Sequence, residues 1–150
     1  MRDDYRLILF SRSAIADLGP YETLIRGDTT DANSVELAVR GADAIVDMAR
    51  VTDLQSFREK LLPANILGAY NVFVAARAAG VPRVVYASTH HVVGYCPAGQ
   101  IIDGTVPIRP DWVYAVTKCF AEAVGRLYAE KDGRSVACLL IGFFQDRPLE

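Results

Sequence analysis

The sequence predicts an α/β fold in which a doubly wound parallel sheet lies between helices. Strand-length apolar runs alternate with longer segments of helical spacing along the chain. These runs are nearly continuous, which is typical of parallel strands that are buried on both faces. The chain has 150 residues, 51% of them hydrophobic, so it has the length and composition of one globular domain. No internal repeat or second domain is visible.

Five apolar segments predict the strands, and turn residues or helical segments separate them. The fourth segment, "RVVYAST", follows the turn residues Gly80, Val81 and Pro82. In chain order the predicted strands cover residues 5–10, 22–28, 43–49, 83–89 and 135–144.

Three segments have helical spacing. The first, "DANSVELAVRGA", begins with Asp31 or Asn33 as an N-cap and closes at Gly41. The second covers residues 54–79 and is interrupted by Pro63, which lacks the backbone N–H that a helix requires. The third covers residues 112–131 and ends before Gly133.

Composition and charge disfavour several kinds of partner. The net charge is -2 and no basic run is present, which argues against nucleic acid or an anionic membrane as a partner. No segment reaches the roughly 18 apolar residues of a membrane helix, and the N-terminus does not resemble a secretory signal. Cys96, Cys119 and Cys138 are widely spaced, so we expect free thiols in a cytoplasmic protein and no metal site.

The segment "PDWVYAVTKCF" carries the chemistry-bearing pattern. Tyr114 and Lys118 are four residues apart, so a helix places both on one face. A nearby ammonium group lowers the pKa of a phenol from about 10, which suits it to general acid–base catalysis. Alone, the pair also fits an ordinary helix surface.

Hydroxyl groups at the end of the fourth strand strengthen the catalytic interpretation. Ser88 and Thr89 close the run "RVVYAST" and are followed by "HHVVG". Ligands of an open parallel sheet bind beyond the carboxyl ends of its strands. A hydroxyl there can contact the same substrate oxygen as Tyr114.

Several motifs together resemble the extended short-chain dehydrogenase/reductases, the NAD-dependent epimerase/dehydratase family. They are "GDTTD", "DAIVDMARVTD", "NILGAYNVFVAARAAGVPRVVYAST" and the Tyr-x-x-x-Lys motif "YAVTK". Within that family, "STHHVVGY" and "RPDWVYAVTK" are similar to stretches of the uronate dehydrogenases. The resemblance implies a Rossmann-like fold and oxidation of a sugar or uronate hydroxyl.

The resemblance also implies catalytic roles. Tyr114 is the expected general base, and Lys118 lowers its pKa and contacts the nicotinamide ribose. Counting back from Gly94 assigns the catalytic hydroxyl to Thr89 rather than Ser88.

The same resemblance implies contacts to a nicotinamide cofactor. Asp28 and Thr29 would border its adenine, Ala49 its ribose, and Asn65 the active site. At the end of the first strand, Ser11 and Arg12 replace the acid that many NAD users have. This pair suits a 2′-phosphate, so NADP is slightly favoured and NAD stays open; alternatively, Arg12 is a solvated turn residue.

Further residues receive weaker assignments. His91 matches a substrate-contacting histidine, although it and His90 also fit ordinary loop residues. Arg109 and Asp111 are expected to fix the loop and cap the next helix, and Trp112 and Cys119 to pack. The resemblance also implies a homodimer built from helices 54–79 and 112–131.

The sequence departs from the family pattern at both ends. Residues 1–150 contain no G-x-x-G-x-x-G loop, and the first strand here matches the family's second. A strand would then be missing from the middle of the sheet, leaving two edges unpaired or forcing them together. Little of the substrate region is expected, and Leu140 stands where relatives often have arginine. Arg147 is only a weak candidate for binding a carboxylate.

Three functions therefore stay open. One is an NAD(P)-dependent dehydrogenase that acts on a sugar or uronate. The second is a nucleotide-sugar epimerase, dehydratase or reductase of the same family, because the same Tyr, Lys and Thr serve all of these reactions. The third is a non-catalytic fragment or cofactor-binding protein, since fold alone does not fix function.

Overall fold

The computed structural model describes residues 5–52 and 56–142. Every strand pairing within these ranges is parallel, and helical segments separate most of the strands, which confirms the predicted α/β class. The strands are β1 (Leu7–Ser11), β2 (Glu22–Arg26), β3 (Ile45–Asp47), β4 (Arg83–Thr89) and β5 (Ser135–Ile141). The α-helices are α1 (Ala32–Val39), α2 (Gly68–Ala78) and α3 (Val113–Asp132). Two further helical segments are a π-helix (Phe57–Leu67) and a short 3-10 turn (His90–Val93).

Local sequence signals set most helix ends. The Asp31 carboxylate accepts the backbone N–H of Asn33 at 3.1 Å and caps α1. Helix α3 ends at Gly133, whose φ of 64° is the left-handed conformation that glycine adopts without strain. The prediction that Asp111 caps α3 is wrong: the N-cap is Trp112, which makes no side-chain capping bond. The carboxylate of Asp111 is used elsewhere, as described below.

The segment around Pro63, Phe57–Leu67, is a π-helix and not the interrupted α-helix that the sequence predicts. Proline lacks the N–H that would continue an α-helical ladder. The N–H of Leu61 donates to the oxygen of Ser56 at 3.2 Å, and the N–H of Gly68 donates to the oxygen of Pro63, both five residues back. The regular α-helix starts only at Gly68, and the predicted first residue, 54, lies outside the described ranges.

The strands form two sheets. One contains β1 and β2, and the other has the order β3-β4-β5. In the second sheet, Val84 of β4 lies between Ile45 of β3 and Val136 of β5. Within the described chain, β1 and β3 do not pair with each other, so the expected gap leaves their edges unpaired rather than forcing them together.

Helices α2 and α3 pack on one face of the three-stranded sheet. Side chains on this face, including Val84 and Tyr86, are buried. Side chains of the opposite face are open: Val46 is 64% exposed and Leu139 is 50% exposed. The expectation that these strands are buried on both faces is therefore wrong for β3 and β5 in the described residues, because no described helix packs over that face.

An aromatic cluster joins α2, β4 and α3. The ring centroid of Phe73 lies 6.1 Å from that of Tyr86 and 6.3 Å from that of Tyr128. Gly125 allows the close approach, since a Cβ there would lie 2.9 Å from Cγ1 of Val136 and 3.1 Å from the ring of Phe73. This packing fixes α3, and with it Tyr114 and Lys118, against the end of β4.

Candidate active site

Lys118 lies at the centre of the site. Its side chain is only 1% exposed, and Nζ donates to the carbonyl oxygen of Ala87 at 2.8 Å. Nζ also lies 4.5 Å from the ring centroid of Tyr86 and 5.7 Å from that of Tyr114, so two aromatic rings contact the ammonium group. Burial lowers the pKa of Lys118 to about 8, although the nearby carboxylate of Asp47 opposes this shift.

The inward face of α3 places Tyr114 beside Lys118. One turn of helix separates them, and both are buried together with Thr117 and Ala121. The Thr117 hydroxyl donates to the Tyr114 carbonyl oxygen at 2.6 Å, which ties the first turn of the helix together.

Asn65 connects this helix to the loop after β3. Its Oδ1 accepts the N–H of Val51 and its Nδ2 donates to the oxygen of Val51, both at 2.8 Å. The same Nδ2 donates to the hydroxyl of Thr117 at 3.1 Å. A continuous set of hydrogen bonds therefore runs from Val51 through Asn65 and Thr117 to the backbone of Tyr114.

The two hydroxyl residues at the end of β4 have different partners. Successive side chains of a strand point to opposite faces, and Ser88 points to α3, where its hydroxyl donates to the Glu122 carboxylate. Thr89 is the last residue of β4, and its Oγ1 accepts the backbone N–H of His91 at 3.4 Å. Both are buried, but Ser88 is already bound to a carboxylate on the helix side.

His91 is held by residues from the loop before α3. Nδ1 lies 3.0 Å from Oδ1 and 3.1 Å from Oδ2 of Asp111, and the imidazole stacks on Trp112 with centroids 4.8 Å apart and planes at 11°. Trp112, which was expected to pack, makes this ring contact while it stays half exposed. The ring of His90 also contacts that of His91, tilted by 34° with centroids 4.1 Å apart, and its Nδ1 lies 3.2 Å from the oxygen of Ile141.

The residues assigned to the adenosine side of a cofactor lie together. Ser11, Arg12, Asp28, Thr29 and Ala49 line one cavity of about 440 Å³, between the ends of β1 and β2 and the π-helix. Nη1 of Arg12 lies 3.8 Å from Oδ2 of Asp28. Asp28 Oδ1 accepts both the N–H and the hydroxyl of Thr30 at 2.9 Å.

Asn65 lies outside the lining of this cavity, and so does Tyr114. The link between the cavity and α3 is Val51, which lines the cavity and is bound on both its backbone groups by Asn65. Thr29 is fixed from the other side, because Asn71 Nδ2 donates to its carbonyl oxygen at 2.9 Å.

Asp47 is a buried acid that the sequence analysis did not single out. It is 6% exposed, pairs in register with Tyr86, and accepts the N–H of Ala49 at 3.0 Å. Burial raises its pKa, partly opposed by the Ala49 hydrogen bond and by Lys118. The signal was present in "DAIVDMA", where an acid interrupts an apolar strand.

Cys119 and Arg147 were also singled out in the sequence. Cys119 is half-buried, and burial raises the pKa of its thiol, which fits a packing role. Arg147 lies outside the described residues. In the described ranges, no cluster of three or more His, Cys, Asp or Glu side chains could hold a metal ion. No described helix is both long and apolar enough to span a membrane.

Comparison with known proteins identifies relatives of this arrangement. Residues 1–143 match the model of the NAD dependent epimerase/dehydratase family. A uronate dehydrogenase of Agrobacterium fabrum is 41% identical over 124 residues, covering 83% of this chain and 46% of that protein. The crystal structure of uronate dehydrogenase from Agrobacterium tumefaciens superposes with a TM-score of 0.80 at 40% identity, covering 86% of this chain and 48% of that one.

A more distant neighbour performs a different reaction. The structure of the Thermus thermophilus UDP-glucose 4-epimerase in complex with NAD has a TM-score of 0.77 at 25% identity, covering 89% of this chain and 46% of that one. The chain spans about half the length of the relatives that it matches. With a family match over residues 1–143 and the Tyr–Lys pair buried at the end of β4, this chain belongs to the NAD dependent epimerase/dehydratase family.

Proposed function

We propose that residues 1–150 form the cofactor-binding part of an NAD(P)-dependent oxidoreductase that acts on a hydroxyl of a sugar or uronate. The observation that carries this proposal is the buried ammonium group of Lys118. It lies 5.7 Å from the ring centroid of Tyr114 and donates to the carbonyl oxygen of Ala87 in β4, two residues before Thr89. A buried ammonium beside a phenol on a ligand-binding sheet edge is an arrangement for proton transfer.

The chain's own residues would move the proton. Tyr114, as phenolate, accepts the proton of the substrate hydroxyl, and the positive charge of Lys118 favours that phenolate. Thr89 holds the same substrate oxygen through its hydroxyl. A bound nicotinamide would supply the hydride acceptor, so that the loss of this proton and of a hydride from the substrate carbon turns the hydroxyl into a carbonyl.

The cavity beside β1 and β2 fits the adenosine half of such a cofactor. It offers a hydroxyl from Ser11, a guanidinium from Arg12 and a carboxylate from Asp28, next to the ring of Phe10. Donors and acceptors of this kind bind ribose hydroxyls, and the apolar wall suits an adenine. Gly27 lies between these groups, where a Cβ would come within 2.5 Å of the ring of Phe10.

NADP is the favoured cofactor over NAD. The Arg12 side chain is 71% exposed, and its ion pair with Asp28 is long at 3.8 Å, so its guanidinium is available to a phosphate. Arg26 lies beside it and donates to the carbonyl oxygen of Arg12 at 3.3 Å. An acid that would bind the ribose hydroxyls of NAD is absent from the Ser11 position.

The second candidate function is epimerisation or dehydration of a nucleotide sugar. The likeness to the Thermus thermophilus UDP-glucose 4-epimerase favours it, and Tyr114, Lys118 and Thr89 would serve that chemistry equally well. His91 distinguishes the two candidates. The uronate dehydrogenase resemblance gives it a substrate contact, and just after β4 its ring is bound by Asp111 and stacks on Trp112.

A homodimer fits the exposed apolar face of the helices. Leu67 and Tyr70 at the junction of the π-helix with α2 are each 46% exposed. On α3, apolar side chains at helical spacing are also open, at 37 to 55%: Val113, Val116, Phe120 and Leu127. Two copies that bury these faces together would form a four-helix bundle. A cytoplasmic location fits the three free cysteines.

The test of the proposed function begins with cofactor binding. Trp112 is the only tryptophan, so energy transfer from it to NADPH or NADH reports binding near α3. Turnover is then followed by the absorbance of the reduced nicotinamide with a hexuronate, and by product analysis with a UDP-hexose.

The outcomes separate the candidates. Saturable binding and hexuronate oxidation that the Tyr114→Phe variant loses would support the dehydrogenase, and conversion of the UDP-hexose alone would support the epimerase. Binding without turnover in either assay would leave a cofactor-binding protein, and no binding by folded protein would remove the proposal.

A further inference from the structure

Two loops beyond the end of β4 form one unit. The backbone N–H of Arg109 donates to the oxygen of Val92 at 2.8 Å, and that of Asp111 donates to the oxygen of His91 at 3.3 Å. The N–H of Tyr95 donates back to the oxygen of Arg109 at 2.9 Å. The turn that carries His91 and the segment that leads into α3 therefore hold each other in place.

The carboxylate of Asp111 determines which ring nitrogen of His91 carries a proton. Both carboxylate oxygens lie near Nδ1, at 3.0 and 3.1 Å. An ionised carboxylate only accepts hydrogen bonds, so Nδ1 must be the donor. A neutral imidazole has one donor and one acceptor nitrogen, which makes Nε2 of neutral His91 an acceptor.

Stacking fixes the plane of the same ring. The ring of His91 stacks on Trp112, with centroids 4.8 Å apart and planes at 11°, and the tilted ring of His90 contacts it at 4.1 Å and 34°. His90 is itself anchored, because its Nδ1 lies 3.2 Å from the oxygen of Ile141. With Nδ1 bound to Asp111, Nε2 is the remaining polar atom of the ring.

Gly94 makes room for the Asp111 carboxylate. A Cβ at this position would lie 2.1 Å from Oδ2 and 2.2 Å from Cγ of Asp111. The glycine has a φ of -60° and a ψ of -28°, a conformation open to any residue. The requirement for glycine here is therefore the approach of the carboxylate and not the backbone conformation.

We propose that Asp111 and Trp112 are positioning residues that hold neutral His91 in its Nδ1–H form, so that Nε2 accepts a hydrogen bond from a substrate hydroxyl. The sequence resemblance implies only that His91 contacts the substrate, and it names neither the ring nitrogen nor the group that it binds. The identity of the donor as a sugar hydroxyl rests on the proposed function, whereas the tautomer and its cause do not.

The tautomer is measured directly by NMR on the full chain with 15N-labelled histidine. The chain has only two histidines, and a His90→Asn variant assigns the signals of His91. In wild type, the long-range ¹H–15N correlations should show a protonated Nδ1 and an unprotonated Nε2 for neutral His91. Asp111→Ala should convert it to the Nε2–H form that free histidine prefers, and Asp111→Asn, whose amide oxygen still accepts, should retain Nδ1–H.

A second variant protects the test against a misfolded Asp111→Ala protein. Gly94→Ala keeps the carboxylate but displaces it, and it should also abolish the Nδ1–H form. Gly104→Ala is the matched control, because a Cβ there meets nothing within 4 Å. A wild-type His91 in the Nε2–H form, or a tautomer unchanged in both Asp111→Ala and Gly94→Ala, would overturn the proposal.

Adding substrate tests the hydroxyl contact separately. With cofactor present, a hexuronate should shift the Nε2 resonance of His91, and Asp111→Ala should raise KM about tenfold, the worth of roughly one hydrogen bond. Trp112→Leu should raise KM in the same direction while retaining Nδ1–H. A confirmed tautomer with no response to the hexuronate would preserve the positioning role and reject the substrate contact, and with it the support that His91 gives to the proposed function.

Discussion

Replacing Lys118 by methionine should stabilise the fold while removing the ammonium group that we propose favours the Tyr114 phenolate. Methionine has a similar length and no charge. Burial lowers the pKa of Lys118 from 10.5 to about 8, and each pKa unit corresponds to 1.36 kcal/mol, so keeping the ammonium charged in the folded state costs about 3 kcal/mol. The methionine variant avoids this cost. It also loses the hydrogen bond to Ala87 and the positive charge that balances Asp47, and these losses offset part of the gain in stability. We therefore expect a net stabilisation of about 1 to 3 kcal/mol at pH 7.

The pH dependence of the stability difference shows whether the buried charge of Lys118 is its cause. Because the folded pKa of Lys118 lies below the unfolded value of 10.5, the unfolded chain binds more protons between the two values. The cost is therefore fully present below pH 8 and disappears as the pH rises from about 8 towards 10.5. The difference in stability between Lys118→Met and wild type should shrink over that window.

Urea denaturation followed by circular dichroism measures this difference at several pH values from 7 to 10. Other groups that titrate there, such as the cysteines and tyrosines, are common to both proteins and largely cancel. The matched control is Lys131→Met in the last turn of α3, where the lysine is exposed and no comparable gain is expected. A Lys118→Met protein that is less stable than wild type at pH 7, or a gap that does not change with pH, would refute the reasoning.

Three further substitutions test the environment of Lys118, the cofactor cavity and the packing of α3. Asp47→Asn removes a charge that raises the pKa of Lys118, so in that background the stability gap between Lys118→Met and Lys118 should begin to shrink at a lower pH in the same urea experiment, while it still disappears near pH 10.5; an unchanged onset would contradict the coupling. Arg12→Ala should weaken NADPH binding about tenfold or more in fluorescence titration and leave NADH binding unchanged; equal loss of both would contradict the phosphate contact. Gly125→Ala should lower the thermal midpoint by a few degrees, because its Cβ would press on Phe73 and overpacking outweighs the higher helix propensity of alanine. An unchanged midpoint would mean that the packing relaxes without cost.

Short-range features were predictable because their causes lie within a few residues. The cap at Asp31, the end of α3 at Gly133 and the one-turn spacing of Tyr114 and Lys118 follow from backbone geometry and helix periodicity. The five strands were likewise visible as apolar runs. The family followed from motifs along the chain, and the match over residues 1–143 confirms it.

Asp111 shows why the rest was not predictable. As a good N-cap residue beside a helix start, it should have capped α3 on local grounds. Its carboxylate binds His91 instead, 20 residues away in sequence, because the backbone of the two loops pairs and Gly94 leaves room for it. Trp112 packs on the same imidazole while half exposed, and local sequence does not identify that partner.

By itself, the sequence determined which segments are helices and strands, and it placed a phenol and an ammonium on one helix face. Only the tertiary structure decided the environment of those groups. The burial that lowers the pKa of Lys118, the buried acid Asp47 beside it and the division of the strands into two sheets depend on which elements lie side by side. Desolvation and strand pairing are set by neighbours distant in sequence, and for that reason they cannot be derived from local patterns.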